Sequence, residues 1–294
     1  MATPKYIQHN QIDKRKWDRC IRNSQNSRIY GVSYYLDVMC DHHWDAIVLG
    51  DYDAVMPLPH NRKLFGMYQV YQPFFCQQLG VFGEASVSDM LNAIPNKFKL
   101  IRTNLNSGHH IEDATMRTNL VIELNKSHDE VMANYSTSLR KRLRKASDFV
   151  VIETEDVGRI VNQYKTRLQA KVNLPDGAYQ IAEAAFRQAV ENEQAVLLEV
   201  ELDGNEVASG IFLKDDKRIY NVMASSSPDK QHAVAMSVLL NHIIESHQNT
   251  GMIFDFEGSD ISGVRAYFES FGAENEPYQT FTVNRLPFWI KWRY

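Results

Sequence analysis

Apolar positions recur along this chain with two different spacings. Between 157 and 168, Val157, Ile160, Val161, Tyr164 and Leu168 fall on one helical face, which predicts an amphipathic helix. Between 195 and 213, "AVLLEVELDGNEVASGIFL" carries two apolar runs about an Asp203-Gly204 turn signal, which predicts a β-hairpin. The first half repeats both signals. "DKRKWDRCIRN" and "SYYLDVMCDH" read as short helices, and "WDAIVLGDYDAVMPLP" as a hairpin turning at Gly50-Asp51-Tyr52-Asp53. Pro57 and Pro59 lack an amide hydrogen, so they put the second run at a sheet edge or a bulge. "MYQVYQPFF" reads as a strand, "SVSDMLNAI" as a helix, and "KFKLIRTNL" and "TNLVIEL" as strands.

In the second half, "YSTSLRKRLRKA" reads as a basic helix, "FVVIETE" as a strand and "YQIAEAAFRQAV" as a helix. "RIYNVMAS" is a strand, "AVAMSVLLNHIIESH" a helix, "MIFDFE" a strand, "SGVRAYFES" a helix and "YQTFTVN" a last strand. The two halves share an order of hairpin, strand, helix, strand and strand. Their hairpin turns lie near 51 and 204, and "LNAI" and "LNHI" fall in corresponding helices. The expected units are 1–134 and 135–294, with the last strand able to pack on the first unit.

Composition narrows the class without changing that picture. The chain has 294 residues, 44% hydrophobic and 23% charged, with a net charge of −4. That suits a globular chain of about two domains and not one that coats nucleic acid over its whole surface. The polar start "MATPKYIQHNQIDKRKW" has no apolar core of a signal peptide, and the longest apolar run, "AVAMSVLL", is too short for a bilayer. Cys20, Cys40 and Cys76 are widely spaced with no CxxC, so reduced thiols and a cytoplasmic location are expected. His42-His43 and His109-His110 are neighbours in sequence, which seldom share a metal, so no metal is expected.

Residues 149–283 read β-α-α-β-β-β-α-β-α-β, an order that resembles the GNAT acyltransferase fold. Two such units, with the basic run "SLRKRLRKA" opening the second, resemble the FemAB-like branch of that superfamily. "DFEGSDISGVRAYFESFGA" resembles the late strand and helix of its second unit. The resemblance covers nearly the whole chain. It implies an α/β (α+β) fold of two tandem GNAT-like units, each a mixed, mostly antiparallel sheet flanked by helices. It implies an N-acyltransferase that uses acyl-CoA or aminoacyl-tRNA and acts on a small-molecule or peptide-like amine. GNAT enzymes that use coenzyme A carry a Gly-rich pyrophosphate loop. The matching stretch here, "SPDKQHAVAM", has Lys230, Ala233 and Ala235 at the pattern positions and no glycine. An alanine methyl blocks close approach of phosphate to backbone and disfavours positive φ. The donor contacts the resemblance implies are Ser225, Lys230, Gln231, His232, Ala233 and Ala235. No coiled-coil insertion for tRNA is evident.

Acyl transfer to an amine requires a base, a stabilised carbonyl oxygen and close positioning. In an extended strand Asp255 and Glu257 share a face, with Phe254 and Phe256 on the other, which makes the two acids candidate bases. A helix cap, or an ion pair to Arg265 or Lys230, is the alternative reading of the two acids. Tyr267 is the candidate proton donor, or a packing residue of its helix. Strand residues from Tyr220 to Ser225 are expected to offer the oxyanion contact. Tyr71, Gln72, Gln77 and Gln78 suit a polar, neutral pocket, with Tyr220 as a further substrate contact; strand-end packing is the alternative. Arg140, Lys141, Arg144 and Lys145 are the candidate tRNA contacts, or a solvated helix face. A tandem fold kept as a non-catalytic ligand or partner scaffold is the reading from another class.

Overall fold

The computed structural model describes residues 2–63, 66–172, 174–258 and 260–287, the side chain of Ala170 aside. The chain forms two compact units, Met1–Arg117 with Pro277–Tyr294, and Thr118–Glu276. The first contains β1 (Lys5–Ile7), α1 (Lys14–Asn23), α2 (Ser33–Met39), β2 (Trp44–Leu49), β3 (Ala54–Lys63) and β4 (Met67–Val70). It continues through β5 (Phe82–Gly83), α3 (Val87–Asn92), β6 (Phe98–Asn104) and β7 (Thr115–Arg117). The second contains β8 (Leu120–Glu123), α4 (His128–Ala133), α5 (Thr137–Leu143), β9 (Val150–Glu153), α6 (Val157–Val172) and α7 (Asp176–Glu191). Then come β10 (Ala195–Leu202), β11 (Asn205–Lys214), β12 (Arg218–Ser226), α8 (Ala235–Ser246), β13 (Ile253–Asp255), α9 (Ser262–Glu269) and β14 (Glu274–Asn275). β15 (Tyr278–Asn284) returns the chain to the first unit.

The first sheet runs β1-β2-β3-β4-β6-β15-β7, with β5 against the start of β3. β4 and β6 are parallel and their neighbours antiparallel. Pro57 and Pro59 lie where the second edge of β3 has no strand, between β5 at 54–55 and β4 from His60. Their missing amide hydrogens therefore cost the ladder nothing. Asp13 caps α1 by accepting from the Arg15 and Lys16 amides, and Ser86 caps α3. Trp17, Tyr30, Tyr35 and Trp44 are fully buried in this unit.

The second sheet runs β14-β8-β13-β12-β11-β10-β9, again with one parallel pair among the described residues, β12 with β13. α8 lays Leu239, Leu240, Ile243 and Ile244 against Leu198, Val200 and Phe212 of the sheet. Ser127 and Glu130 form a capping box that starts α4, an element the sequence did not predict. The division between units falls at Arg117/Thr118 and not at 134/135. The cause is β8, which pairs Ile122 with Phe254 and so belongs to the second sheet. β15 sits between β6 and β7, inside the first sheet. Among the described residues no helix is long and apolar enough to cross a membrane.

Candidate active site

The second sheet opens at its parallel pair. β12 and β13 are in register at Arg218↔Ile253, Ile219↔Phe254 and Tyr220↔Asp255, and there the pairing stops. Among the described residues, β12 continues to Ser226 with only β11 beside it. Two features part the strands. Met223 faces Ile211 and Tyr220 faces Leu213, so Asn221 and Val222 together oppose Phe212. That is a β-bulge, which bends its strand and re-aims side chains. On the other side, Glu257 (φ 63) and Gly258 (φ 56) turn left-handed immediately after β13. A Cβ on Gly258 would lie 2.2 Å from the Thr118 carbonyl oxygen, so the turn requires glycine. The Oδ1 atom of Asn221, at the bulge, is buried without a hydrogen-bond partner.

The closed end of the pair is held by charge. Arg218, 4% exposed, donates to Asp255 at 2.7 Å and to both carboxylate oxygens of Glu276 at 2.8 and 2.9 Å. Asn119 donates to Asp255 Oδ2 at 3.1 Å, and the Glu257 amide donates to Asp255 Oδ1 at 2.9 Å. Burial pulls the Arg218 pKa down, but the Asp255 and Glu276 carboxylates outweigh it and raise it above the usual guanidinium range. Asp255 and Glu257 therefore do not share a strand face. Asp255 is wholly buried as the partner of Arg218, while Glu257 lies beyond the strand and is half-buried. The ion pair is to Arg218, not to Arg265 or Lys230; Arg265 pairs with Glu269 at 2.8 Å.

Tyr267 projects from α9, its hydroxyl 3.0 Å from Ser237 Oγ on α8. Its ring packs on Phe268 and Phe271. Burial pushes the phenol up to about 12, against the opposing pull of Ser237 and of the Arg142 charge. Tyr220 is buried and donates to Asp215 Oδ2 at 2.7 Å. Ser225, 2% exposed, lies 3.5 Å from the Arg167 guanidinium, which pairs with Glu206 at 2.6 Å.

Lys230–His232 form a 3-10 turn before α8. Asp229 caps it by accepting from the Gln231 amide at 3.1 Å, and His232 Nδ1 lies 2.9 Å from Ser227 Oγ. The Ala233 amide donates to the Lys230 carbonyl, and Ala235 is fully buried at the start of α8. A carboxylate thus occupies a backbone amide where a coenzyme A pyrophosphate would need one.

In the first unit the aromatic and amide segment fills the corresponding gap. β4 stops at Val70, so only part of "MYQVYQPFF" is strand. Gln72 accepts from the Asn104 amide at 2.9 Å and donates to the Cys76 carbonyl. Gln78, wholly buried, accepts from the Ser107 amide at 2.8 Å and donates to Gln77 at 2.7 Å. Tyr71 hydrogen-bonds the Cys40 thiol, and its pKa is raised by burial. Gln72 and Gln78 thus replace ladder partners for an irregular loop. A separate groove of about 900 Å³ is bordered by Lys16, Asn23, Asn26, Asp53, Glu84 and His109. Of these, the sequence singles out only Asp53, as a turn residue, and His109, as half of a histidine pair.

α5 ends at Leu143, with Arg144 as its C-cap and Lys145 beyond. Lys141, Arg142, Arg144 and Lys145 are exposed and Arg140 is half-buried. Sequence reading missed Arg218, Asn119 and Ser237, and included Asn221 only as one of the strand residues from Tyr220 to Ser225. A lone arginine at a strand start carries no local signal of its distant partners.

The mixed sheets, the bulge and the parted parallel strands define a tandem acyltransferase fold. Residues 133–279 match the acetyltransferase (GNAT) domain, and the chain belongs to that family. Among solved structures it is similar to FemX, at 12% identity and a TM-score of 0.71 over 93% of this chain and 97% of that one. It is also similar to a tandem GNAT protein from the clavulanic acid biosynthesis pathway, at 12% identity and a TM-score of 0.54 over 98% and 99% of the two chains. A third likeness is to the C-terminal domain of a putative lysylphosphatidylglycerol synthetase from Agrobacterium fabrum. It has 12% identity and a TM-score of 0.54, over 96% of this chain and 94% of that one. No curated protein sequence matches this one.

Proposed function

We propose that the second unit is an N-acyltransferase that uses the opening between β12 and β13 to move an acyl or aminoacyl group onto an amine. The observation that carries this reading is the end of strand pairing at Tyr220 and Asp255 beside the β12 bulge. A carbonyl lying in that opening meets the backbone of β12 beyond Tyr220 instead of a second strand, and strand amides there are the oxyanion donors of this reading. Glu257 accepts the proton of the attacking amine, a C–N bond forms, and the bond to the leaving oxygen or sulfur breaks. Tyr267, protonated at neutral pH, supplies the leaving group's proton. Asp255 serves as the anchor of Arg218 and not as the base.

Aminoacyl-tRNA is the preferred donor. The glycine-free, Asp229-capped turn is poorly suited to a diphosphate, whereas the exposed cations of α5 suit an RNA backbone. The engagement of Asp255 by Arg218 also favours a second reading, a scaffold that binds a ligand without turnover.

The deciding experiment is thermal stabilisation by aminoacyl-tRNA, deacylated tRNA, acetyl-CoA and longer acyl-CoAs, followed by transfer assays. A donor at a hundred times its Kd adds about 2.7 kcal/mol. Stabilisation by aminoacyl-tRNA with loss of transfer in Glu257→Gln is expected. Stabilisation by acyl-CoA overturns the donor assignment, and no response to any donor leaves the scaffold.

A further inference from the structure

The first unit holds a cluster that acyl transfer does not use. We propose that His9, Asp37 and His42 form a binding site for a divalent late transition-metal ion of the zinc, cobalt(II) or nickel(II) class. The three residues come from separate segments. His9 opens a 3-10 turn after β1, Asp37 lies in α2, and His42 follows the end of α2. Their donor atoms all lie within 4.8 Å of one another. His9 Nε2 is 2.8 Å from Asp37 Oδ1, and His42 Nδ1 is 3.4 Å from the same oxygen. Ligand atoms of a tetrahedral site with bonds of about 2.0–2.1 Å sit about 3.3 Å apart. His42 is already at that spacing from the carboxylate, and His9 has to withdraw by only about 0.5 Å.

The surroundings orient each donor as a metal site requires. Trp44 Nε1 donates to Asp37 Oδ1 at 2.9 Å, and Lys14 donates to Oδ2 at 2.5 Å. They fix the carboxylate plane and leave one lone pair of Oδ1 directed at His9. The backbone amide of His9 donates to Asp45 Oδ1 at 3.0 Å, and its ring lies against Trp44. His9 Nε2 faces the Asp37 carboxylate at the position a metal ion would take.

His42 supplies the second observation. Asp41 (φ 47) and His42 (φ 57) are consecutive left-handed residues, where glycine is the default. This backbone, closed by the His42 amide on the Asp37 carbonyl at 2.8 Å, turns the imidazole back onto the Asp37 side chain. The His42 side chain is 64% exposed, so an ion can enter from solvent and keep a water as its fourth ligand. Two imidazoles and one carboxylate favour late first-row ions over magnesium or calcium. Sequence neighbours His42 and His43 do not make this site; the second imidazole comes from His9.

The test uses the full chain without an affinity tag, stripped of metal, and titrated with Co²⁺ by visible absorption and with Zn²⁺ by calorimetry. One Co²⁺ per chain is expected, with a spectrum free of a thiolate charge-transfer band. His42→Gly suits the left-handed backbone, and His9→Asn keeps a polar side chain. Each is expected to weaken binding at least tenfold, as loss of even a supporting partner does. Absence of uptake, a thiolate band from Cys20, Cys40 or Cys76, or uptake unchanged in the double variant overturns the site. None of these readouts depends on acyl transfer.

Discussion

Tyr267 and Asp45 are buried polar groups whose environments push them in opposite directions. Burial takes the Tyr267 phenol up to about 12, so it remains a proton donor through any ordinary assay range. As the general acid, its removal in Tyr267→Phe lowers kcat by roughly 10²–10⁴-fold. Single-turnover rates check this, and a fall of less than tenfold removes Tyr267 from the mechanism. Burial also drives Asp45 upward, but hydrogen bonds from His60, Tyr6 and the His9 amide overcome it and hold the acid at about 2. A depressed carboxylate contributes stability above its unfolded pKa and loses it as pH falls through the folded value. Asp45→Asn is therefore expected to cost about 1–2 kcal/mol at pH 7. The gap to wild type should close between pH 4 and 2 in urea melts, and a gap that persists at pH 2 contradicts the assignment. The sequence supplied the acid at 255 but not its partner. Arg265 and Lys230 are close by in the chain or in the proposed donor segment, whereas Arg218 reaches Asp255 only through strand pairing.

The parted strands depend on two local devices, the bulge in β12 and the left-handed turn after β13. Gly258→Ala drives a methyl into the Thr118 carbonyl and strains a positive φ, with an expected cost above about 1 kcal/mol. Asp255→Asn leaves Arg218 with Glu276 alone, and removing one partner of a buried pair costs roughly 3–5 kcal/mol. Chemical denaturation measures both. A loss under about 1 kcal/mol for Asp255→Asn would mean that Glu276 alone holds the arginine. Strong local signals made the elements legible: Asp203-Gly204 marks a hairpin, and Val157 to Leu168 marks α6. Short elements escaped. Lys5–Ile7 is a strand because β2 lies beside it, and His128–Ala133 is a single capped helix in a polar stretch. "MYQVYQPFF" is only half strand, since the Gln72 side chain substitutes for the next ladder partner. Asp255 and Glu257 do not share a face because the backbone leaves the extended conformation at Glu257 (φ 63), one residue after Phe256 still bonds the Leu120 carbonyl.

The tandem architecture was readable from element order alone, because both halves carry hairpin, strand and helix in the same sequence. The unit boundary was not, since β8 joins the second sheet through a pairing far away in the chain. That arrangement makes a simple prediction about fragments. Residues 118–276 contain every strand of the second sheet and are expected to unfold cooperatively on their own. Residues 1–117 lack β15, which separates β6 from β7, and are expected to lack a cooperative transition. Circular dichroism melts of the two fragments decide it; a sharp transition in 1–117 shows that β15 is dispensable. For the basic helix, replacing Lys141 and Arg144 by alanine is expected to lower tRNA affinity and flatten its salt dependence by roughly 0.7–0.9 per lost phosphate contact. An unchanged slope means that these cations stay in solvent.

The position of β15 also sets an order of events during synthesis. Chains usually complete their amino-terminal part first as they leave the ribosome. Here the earliest-made unit stays short of an interior strand until residues 278–284 arrive, while the later-made one already has all of its own. The nascent chain therefore carries an open sheet edge for most of its elongation, and that is the period in which a chaperone would find it.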